Sequence, residues 1–340
     1  MDDSISIISA DPLSEDVDDG ADVAPESEWR EWVVGKAQHG LRLDRALAEL
    51  IPEFSRSYLQ QLIEAGAVTH HGQTVRKTSA KVRAGEHGLI ELRPTPQSQA
   101  FKPEPMALDL VYEDEHLLVL NKQAGLVVHP APGNWSGTLL NGLLAHDAGA
   151  ALLPRAGIVH RLDKDTSGLM VVARSRAVMD ALVKMIALRE VGRQYLALAH
   201  RPWVGTGSRD VEAPIGRDPR NRLRMAVVDL ERHGGKTAKT RFELLHNGAL
   251  GCLLRCTLYT GRTHQIRVHL ASIGHPLVAD EVYGGAPAAG MQRQALHAFR
   301  LTFTHPVTAQ PMQFLAPLPA DFHQALTAWG LGYNATQGDL

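Results

Sequence analysis

One stretch constrains this chain more than any other: Ile158-Val159-His160-Arg161-Leu162-Asp163-Lys164-Asp165-Thr166-Ser167-Gly168, followed by the apolar run Leu169-Met170-Val171-Val172-Ala173. Asp, Thr, Ser and Gly supply a turn between two apolar strands. The spacing therefore predicts strands over 156–161 and 168–174, with Asp163 at the lip of the first. A tight turn between strands is satisfied by one Asp and one Gly. Here His160, Arg161, Lys164 and Arg174 crowd around Asp163 and Asp165, more charge than a hairpin requires, and the excess marks a site.

The 340 residues exceed one typical domain of about 100 to 200 residues and predict two folded units. Hydrophobic residues, at 44%, supply material for both cores. No apolar run approaches the roughly 18 residues that cross a bilayer, and no basic segment leads into an apolar one at the N-terminus. The expectation is a cytoplasmic protein without membrane contact. Cys252 and Cys256 are the only cysteines; four apart on one strand they share a face, and with no third thiol they read as core, not as a zinc set.

The formal net charge of -2 hides a partition. Residues 1–31 hold eleven of the 37 acids and one of the 35 bases, Arg30, which leaves 34 bases against 26 acids in the rest of the chain. The body is therefore basic, as phosphate binding requires. The acidic segment, poor in aromatics up to Trp29, is expected to be disordered.

After it, Leu43, Leu47 and Leu50 recur at helical spacing and stop before Pro52. Ser55 can cap a second helix whose Leu59, Leu62 and Ile63 share a face and which Gly66 ends. Val68-Thr69-His70 and Thr74-Val75 flank His71-Gly72 as a tight hairpin, with Gly88–Leu92 as a closing strand. This layout, with Arg42, Arg45, Arg56, Arg76, Lys77, Lys81 and Arg83, resembles the S4 RNA-binding domain. Arg42, Arg45, Arg56, Lys77 and Lys81 are its candidate RNA contacts, Arg56 because it opens a helix whose first turn offers free N–H groups to a phosphate.

Four prolines in residues 93–106 read as a semi-extended linker. Beyond it strands are expected at 108–113, 116–120, 156–161, 168–174, 194–199, 237–245, 252–259 and 297–304, with helices near 137–146, 176–189, 264–273 and 319–329. Neighbouring strand pairs with scattered helices predict an α+β fold whose central sheet is mixed and largely antiparallel. The expected organisation is a disordered acidic tail over 1–33, an S4-like domain over 34–93, a linker over 94–107, a catalytic domain over 108–332 and a tail over 333–340.

His160 to Gly168 resembles the signature of the RluA superfamily of ribosomal large-subunit pseudouridine synthases. Gly261-Arg262-Thr263-His264-Gln265-Ile266-Arg267-Val268-His269 is similar to that superfamily's downstream motif, in the expected order. The likeness runs on through His129-Pro130-Ala131-Pro132-Gly133-Asn134, His275-Pro276-Leu277-Val278 and Val282-Tyr283-Gly284-Gly285, and covers roughly residues 38–330. It implies a pseudouridine synthase catalytic domain with a cleft across the central sheet, using no cofactor and no metal.

The resemblance also assigns residues. Asp163 occupies the family's catalytic position, Arg267 the place of the cation set against it, and Tyr195 that of the active-site tyrosine. Arg161, two residues before Asp163, is the expected wedge that fills the gap when a uridine leaves the stack. His160 and Asp165 are expected to be structural, Asp165 by accepting backbone hydrogen bonds in the turn. The implied partner is large-subunit ribosomal RNA or its precursor, with uridines of the helix 69 stem-loop as targets and a monomer as the acting form. Another ribosomal site, a transfer RNA, and a non-enzymatic role as an RNA-binding assembly factor stay open. A phosphatase reading of Asp163-Lys164-Asp165 fails because His160 and Arg161 interrupt the strand such a site needs.

Overall fold

The structure is a computed structural model that describes residues 28–92, 100–131 and 133–333. The expectations for 1–27, for 94–99 and for 334–340 lie outside the described residues. Those up to Leu92 form one compact unit and those from Ala100 another.

The first unit contains β1 (Glu28–Val33), α1 (Leu43–Leu50), α2 (Arg56–Glu64), β2 (Thr69–His70), β3 (Gln73–Thr74) and β4 (His87–Leu92). Leu43, Ala46 and Leu47 of α1 meet Leu59, Leu62 and Ile63 of α2 in a single apolar cluster. Ser55 caps α2 by accepting the Tyr58 N–H. His71 and Gly72, both in left-handed backbone, make the two-residue turn between β2 and β3.

One boundary moves. Residues 28–33 were expected in the disordered tail, yet they pair antiparallel with β4 along its whole length. Burying a large apolar side chain contributes about 2 to 3 kcal/mol, and Trp32, 2% exposed, joins the core of this unit. The acids around it mask an in-and-out alternation in the sequence.

The second unit is built on β5 (Leu110–Glu113), β6 (Leu117–Lys122), α3 (Leu139–His146), β7 (Ser167–Ala173), α4 (Arg176–Leu188) and β8 (Gly192–His200). There follow β9 (Ser208–Glu212), β10 (Ile215–Arg217), β11 (Met225–Val227), β12 (Gly235–Lys236), β13 (Lys239–Asn247) and β14 (Gly251–Leu258). The unit ends with α5 (Gln265–Ser272), β15 (Leu296–Thr304), β16 (Pro311–Leu315) and α6 (Ala320–Ala328). Its main sheet runs β5-β6-β7-β15-β8-β14-β13-β9, with β16 also on β15, and β10, β11 and β12 form a small separate sheet. Among the described strands β7 and β15 make the parallel pair and the others are antiparallel, so the fold is α+β with a mixed, largely antiparallel sheet.

β7 is buried at every position, as a strand covered on both faces must be. Met170 and Val172 pack with Leu140 and Leu143 of α3. Leu169 and Val171 pack on the other face with Val178 and Leu182 of α4. Gly168, at φ 117°, lies so close to β15 that a Cβ there would sit 2.2 Å from the Ala298 carbonyl oxygen. A glycine is therefore required where the parallel pair begins.

Two expectations for this unit are corrected. Residues 156–161 are not a strand: Ile158 makes a lone bridge to Val172, and Pro154–Gly157 form a 3₁₀ turn with Arg155, Ala156 and Gly157 in left-handed backbone. Such dihedrals break a ladder. Residues 100–107 are no free linker either. The Asn141 side chain of α3 donates to the Lys102 carbonyl at 2.9 Å, and Met106 fills the space left by Gly142.

Candidate active site

The turn that carries Asp163 is fixed from below. Lys122, at the end of β6 and 1% exposed, donates to the carbonyls of Gln123, Leu126 and Lys164 at 2.8, 2.9 and 2.9 Å. Three acceptors match three ammonium hydrogens. Burial pulls the Lys122 pKa down to about 8, and the charges of Asp165 and Asp163 oppose that shift. The Thr166 N–H closes the turn on the Asp163 carbonyl at 3.1 Å. Arg293 holds the Asp165 carbonyl at 2.9 Å. The expected turn bonds to the Asp165 carboxylate are not made; backbone groups and Lys122 do that work.

The Asp163 side chain, 16% exposed, accepts from Arg267 Nη1 at 3.1 Å across 104 residues of sequence. Arg267 projects from α5 and is itself clamped by Asp280, which accepts from Nε at 2.7 Å and from Nη2 at 2.8 Å. The guanidinium also lies 4.9 Å from the centre of the Tyr283 ring. Burial alone would lower the Arg267 pKa; the bonds and charge of Asp280, then those of Asp163, outweigh it and hold the group above its ordinary value. The two-point carboxylate clamp takes Nε and one hydrogen of Nη2, which leaves the Nη1 hydrogens free, and one of these meets Asp163.

His264 stands beside the pair, with Nε2 3.8 Å from Asp163 Oδ1. The Tyr283 hydroxyl accepts the Met225 N–H at 3.1 Å and lies 2.8 Å from His264 Nδ1. Assigned from this network, the tyrosine hydrogen goes to Nδ1 and the imidazole hydrogen to Nε2, facing Asp163. Burial keeps the His264 pKa below its usual value, so the ring is neutral at pH 7. His269, five residues on, turns away to Thr240 and the Ala213 carbonyl, both at 2.9 Å. The two histidines do not face each other as metal ligands. Among the described residues, His70, His71 and Glu86 in the first unit are the group whose ligand atoms come within 4.8 Å of one another.

The carboxylate opens into a cleft of about 480 Å³. Tyr195, on β8 and 5% exposed, forms part of its wall, and burial pushes its pKa up to about 12. Arg161 lines the rim and is exposed. Its place there comes from an irregular segment and not from the continuing strand that was expected. His160 accepts the Val171 N–H at 3.1 Å on Nε2, a structural bond as expected. Arg155, Arg161, Arg189, Arg193, Arg262 and Arg267 line the cleft, while Asp163 is its only carboxylate among the described residues. A polyanion is the ligand such a field selects.

Residues 116–272 match the family described as RNA pseudouridylate synthase, and residues 41–87 match the S4 domain. The ribosomal large subunit pseudouridine synthase D of Neisseria meningitidis serogroup B is 48% identical over 301 residues, which span 85% of this chain and 78% of that one. The chain belongs to the RNA pseudouridine synthase family. The synthase D of Xylella fastidiosa is 47% identical over 312 residues, 88% of this chain and 92% of its own. Human RNA pseudouridylate synthase domain containing 1 superposes with a TM-score of 0.54 at 26% identity, covering 69% of this chain and 95% of that one. This RNA pseudouridine synthase therefore has the α+β fold, the S4 domain and the family that its sequence motifs imply.

The S4 unit of the synthase treats its five candidate cations unequally. Arg42 and Arg56 both bond to Asp44, which is 0% exposed and also accepts from Gln60. Burial pushes the Asp44 carboxyl up, but the three partners outweigh it and hold it well below the carboxylate range. Arg42 and Arg56 are thus structural as well as half exposed, at 47% and 50%. Arg45 pairs with Glu49 one helical turn on. Lys77 and Lys81 are exposed.

Sequence reasoning did not single out Asp280, Lys122, Asp44, His264 as a neighbour of Asp163, or Arg193. Each depends at least in part on a partner twelve or more residues away, except Arg193, which strand alternation from Tyr195 could have placed in the cleft.

Proposed function

We propose that this enzyme isomerises uridines of large-subunit ribosomal RNA, in the helix 69 stem-loop, in the cytoplasm. The observation that carries the reading is the Asp163 carboxylate held at 3.1 Å by a buried arginine, in a cleft where arginines and no second carboxylate stand around it among the described residues. The relatives named as large-subunit pseudouridine synthase D support ribosomal RNA as the substrate.

Pseudouridine formation breaks the bond from ribose C1′ to uracil N1 and forms one from C1′ to C5, with no atom gained or lost. Asp163 is the catalytic carboxylate, aimed by Arg267, which Asp280 locks in turn. The neutral Tyr195 phenol lies against the uracil and offers a hydrogen bond where the base detaches. Arg161, free of any ion pair among the described residues, enters the stack as the uridine leaves it. The S4 unit, through Lys77, Lys81, Arg45 and the outer faces of Arg42 and Arg56, tracks neighbouring phosphates.

The test is Asp163→Asn, read as tritium release from 5-tritiated uridine in a helix 69 stem-loop. Conversion should vanish while RNA affinity stays within a few-fold. Full conversion by the variant removes Asp163 from the reaction.

A further inference from the structure

Arg193 lies two residues before Tyr195 on β8, so both side chains leave the strand on the same face, and both line the cleft. It is 6% exposed. No carboxylate lies within ion-pair distance of it among the described residues, its guanidinium makes no hydrogen bond there, and its Nε is buried without a partner. Gly261 leaves the room it occupies: a Cβ at that position would stand 3.0 Å from Arg193 Nη1.

A guanidinium does not shed its proton in a protein, so the charge cannot be relieved by neutralising it. A buried cation without a counter-ion is strongly unfavourable. Asp163, the only carboxylate of the cleft among the described residues, already has Arg267. The negative charge must come with the substrate. A uracil carbonyl would satisfy a hydrogen but leave the charge uncompensated; the one full anion an RNA brings is its phosphodiester.

We infer that Arg193 is an anion subsite, binding a phosphodiester that flanks the extruded uridine and so anchoring the ribose while the base turns. The inference rests on the uridine isomerisation proposed above. It gives the non-reacting backbone a task in the chemical step, because C1′ must stay in place between the loss of N1 and the arrival of C5. Its positive charge also acts on Tyr195, and there it opposes the rise that burial causes.

A double cycle tests this with helix 69 stem-loops in which a neutral methylphosphonate replaces the phosphate 5′ or 3′ of the target uridine. Single-turnover conversion at subsaturating RNA by the unaltered enzyme should fall about tenfold or more at one of the two positions, the loss expected of one charge-assisted hydrogen bond. Arg193→Gln should be slow on the natural RNA and lose nothing further from that methylphosphonate. Arg193→Lys, which keeps the charge, should keep the sensitivity.

The melting temperature separates anchoring from support. In the absence of RNA, Arg193→Met should melt no lower than the parent, since it removes an unpaired buried charge. Equal sensitivity of parent and Arg193→Gln to both methylphosphonates overturns the inference, and so does a lowered melting temperature of Arg193→Met, which would make the side chain a structural support. Either result leaves the Asp163→Asn test untouched, so the two readings fail separately.

Discussion

Arg267 serves two carboxylates, and they differ in kind. Asp280 is buried and takes two of its N–H groups; Asp163 takes one and faces the cleft. Removing one partner of a buried pair costs about 3 to 5 kcal/mol, because the other charge stays behind. Asp280→Asn should therefore lower the unfolding free energy by that order, read as a lower urea midpoint, and slow conversion, as Arg267 is freed to swing from Asp163. Asp163→Asn should affect conversion without a comparable loss of stability, since its carboxylate is partly solvated. Equal midpoints for Asp280→Asn and the parent would refute the clamp. At this scale Asp163, Arg267 and Arg161 were legible because they sit inside continuous motifs and Tyr195 through the family resemblance alone, and the structure brings all four to one cleft. Asp280 and Lys122 were not, since a lone acid or lysine beside apolar residues carries no mark of a partner elsewhere in the chain.

Among the elements, those with long apolar periodicity form where the pattern places them: β6, β7, β8, β13, β14 and β15, and helices α1 to α6. Short edge strands escape such reading. β9, Ser-Arg-Asp-Val-Glu, has one buried residue and its pairing is decided by β13, not by its own alternation. The 156–161 segment fails in the opposite sense, apolar enough for a strand but turned by left-handed backbone at 155–157. Asp44 joins α1 to α2 and brings a pH dependence. Its folded pKa lies below the unfolded value of about 3.9, so the unfolded form binds more protons as acid is added. The stabilisation is complete above that value and is lost as pH falls through it towards the folded pKa. Amide resonances of α1 and α2 should thus show a urea midpoint that drops below about pH 4, and Asp44→Asn should flatten the profile at a lower level. A profile unchanged in shape would exclude Asp44 as its source.

The whole molecule divides its charge, with an acidic first 31 residues and a basic remainder, and it divides its work between an S4 unit and a catalytic unit. No helix among the described residues is long and apolar enough to cross a membrane. If the S4 unit holds phosphates through its exposed lysines, Lys77→Ala with Lys81→Ala should reduce the slope of log affinity against log salt by about 1.5 and leave the melting temperature in place. Arg42 and Arg56 are unsuitable for that test because of Asp44. An unaltered slope would remove the lysines from the RNA surface. The proposed reaction depends on one carboxylate acting on one RNA. Its most direct measurement is mass-spectrometric mapping of pseudouridine in ribosomal RNA from cells lacking this gene, supplied with either the parent enzyme or Asp163→Asn. The parent should restore the helix 69 pseudouridines and the variant none of them; restoration by the variant, or by neither, would contradict it.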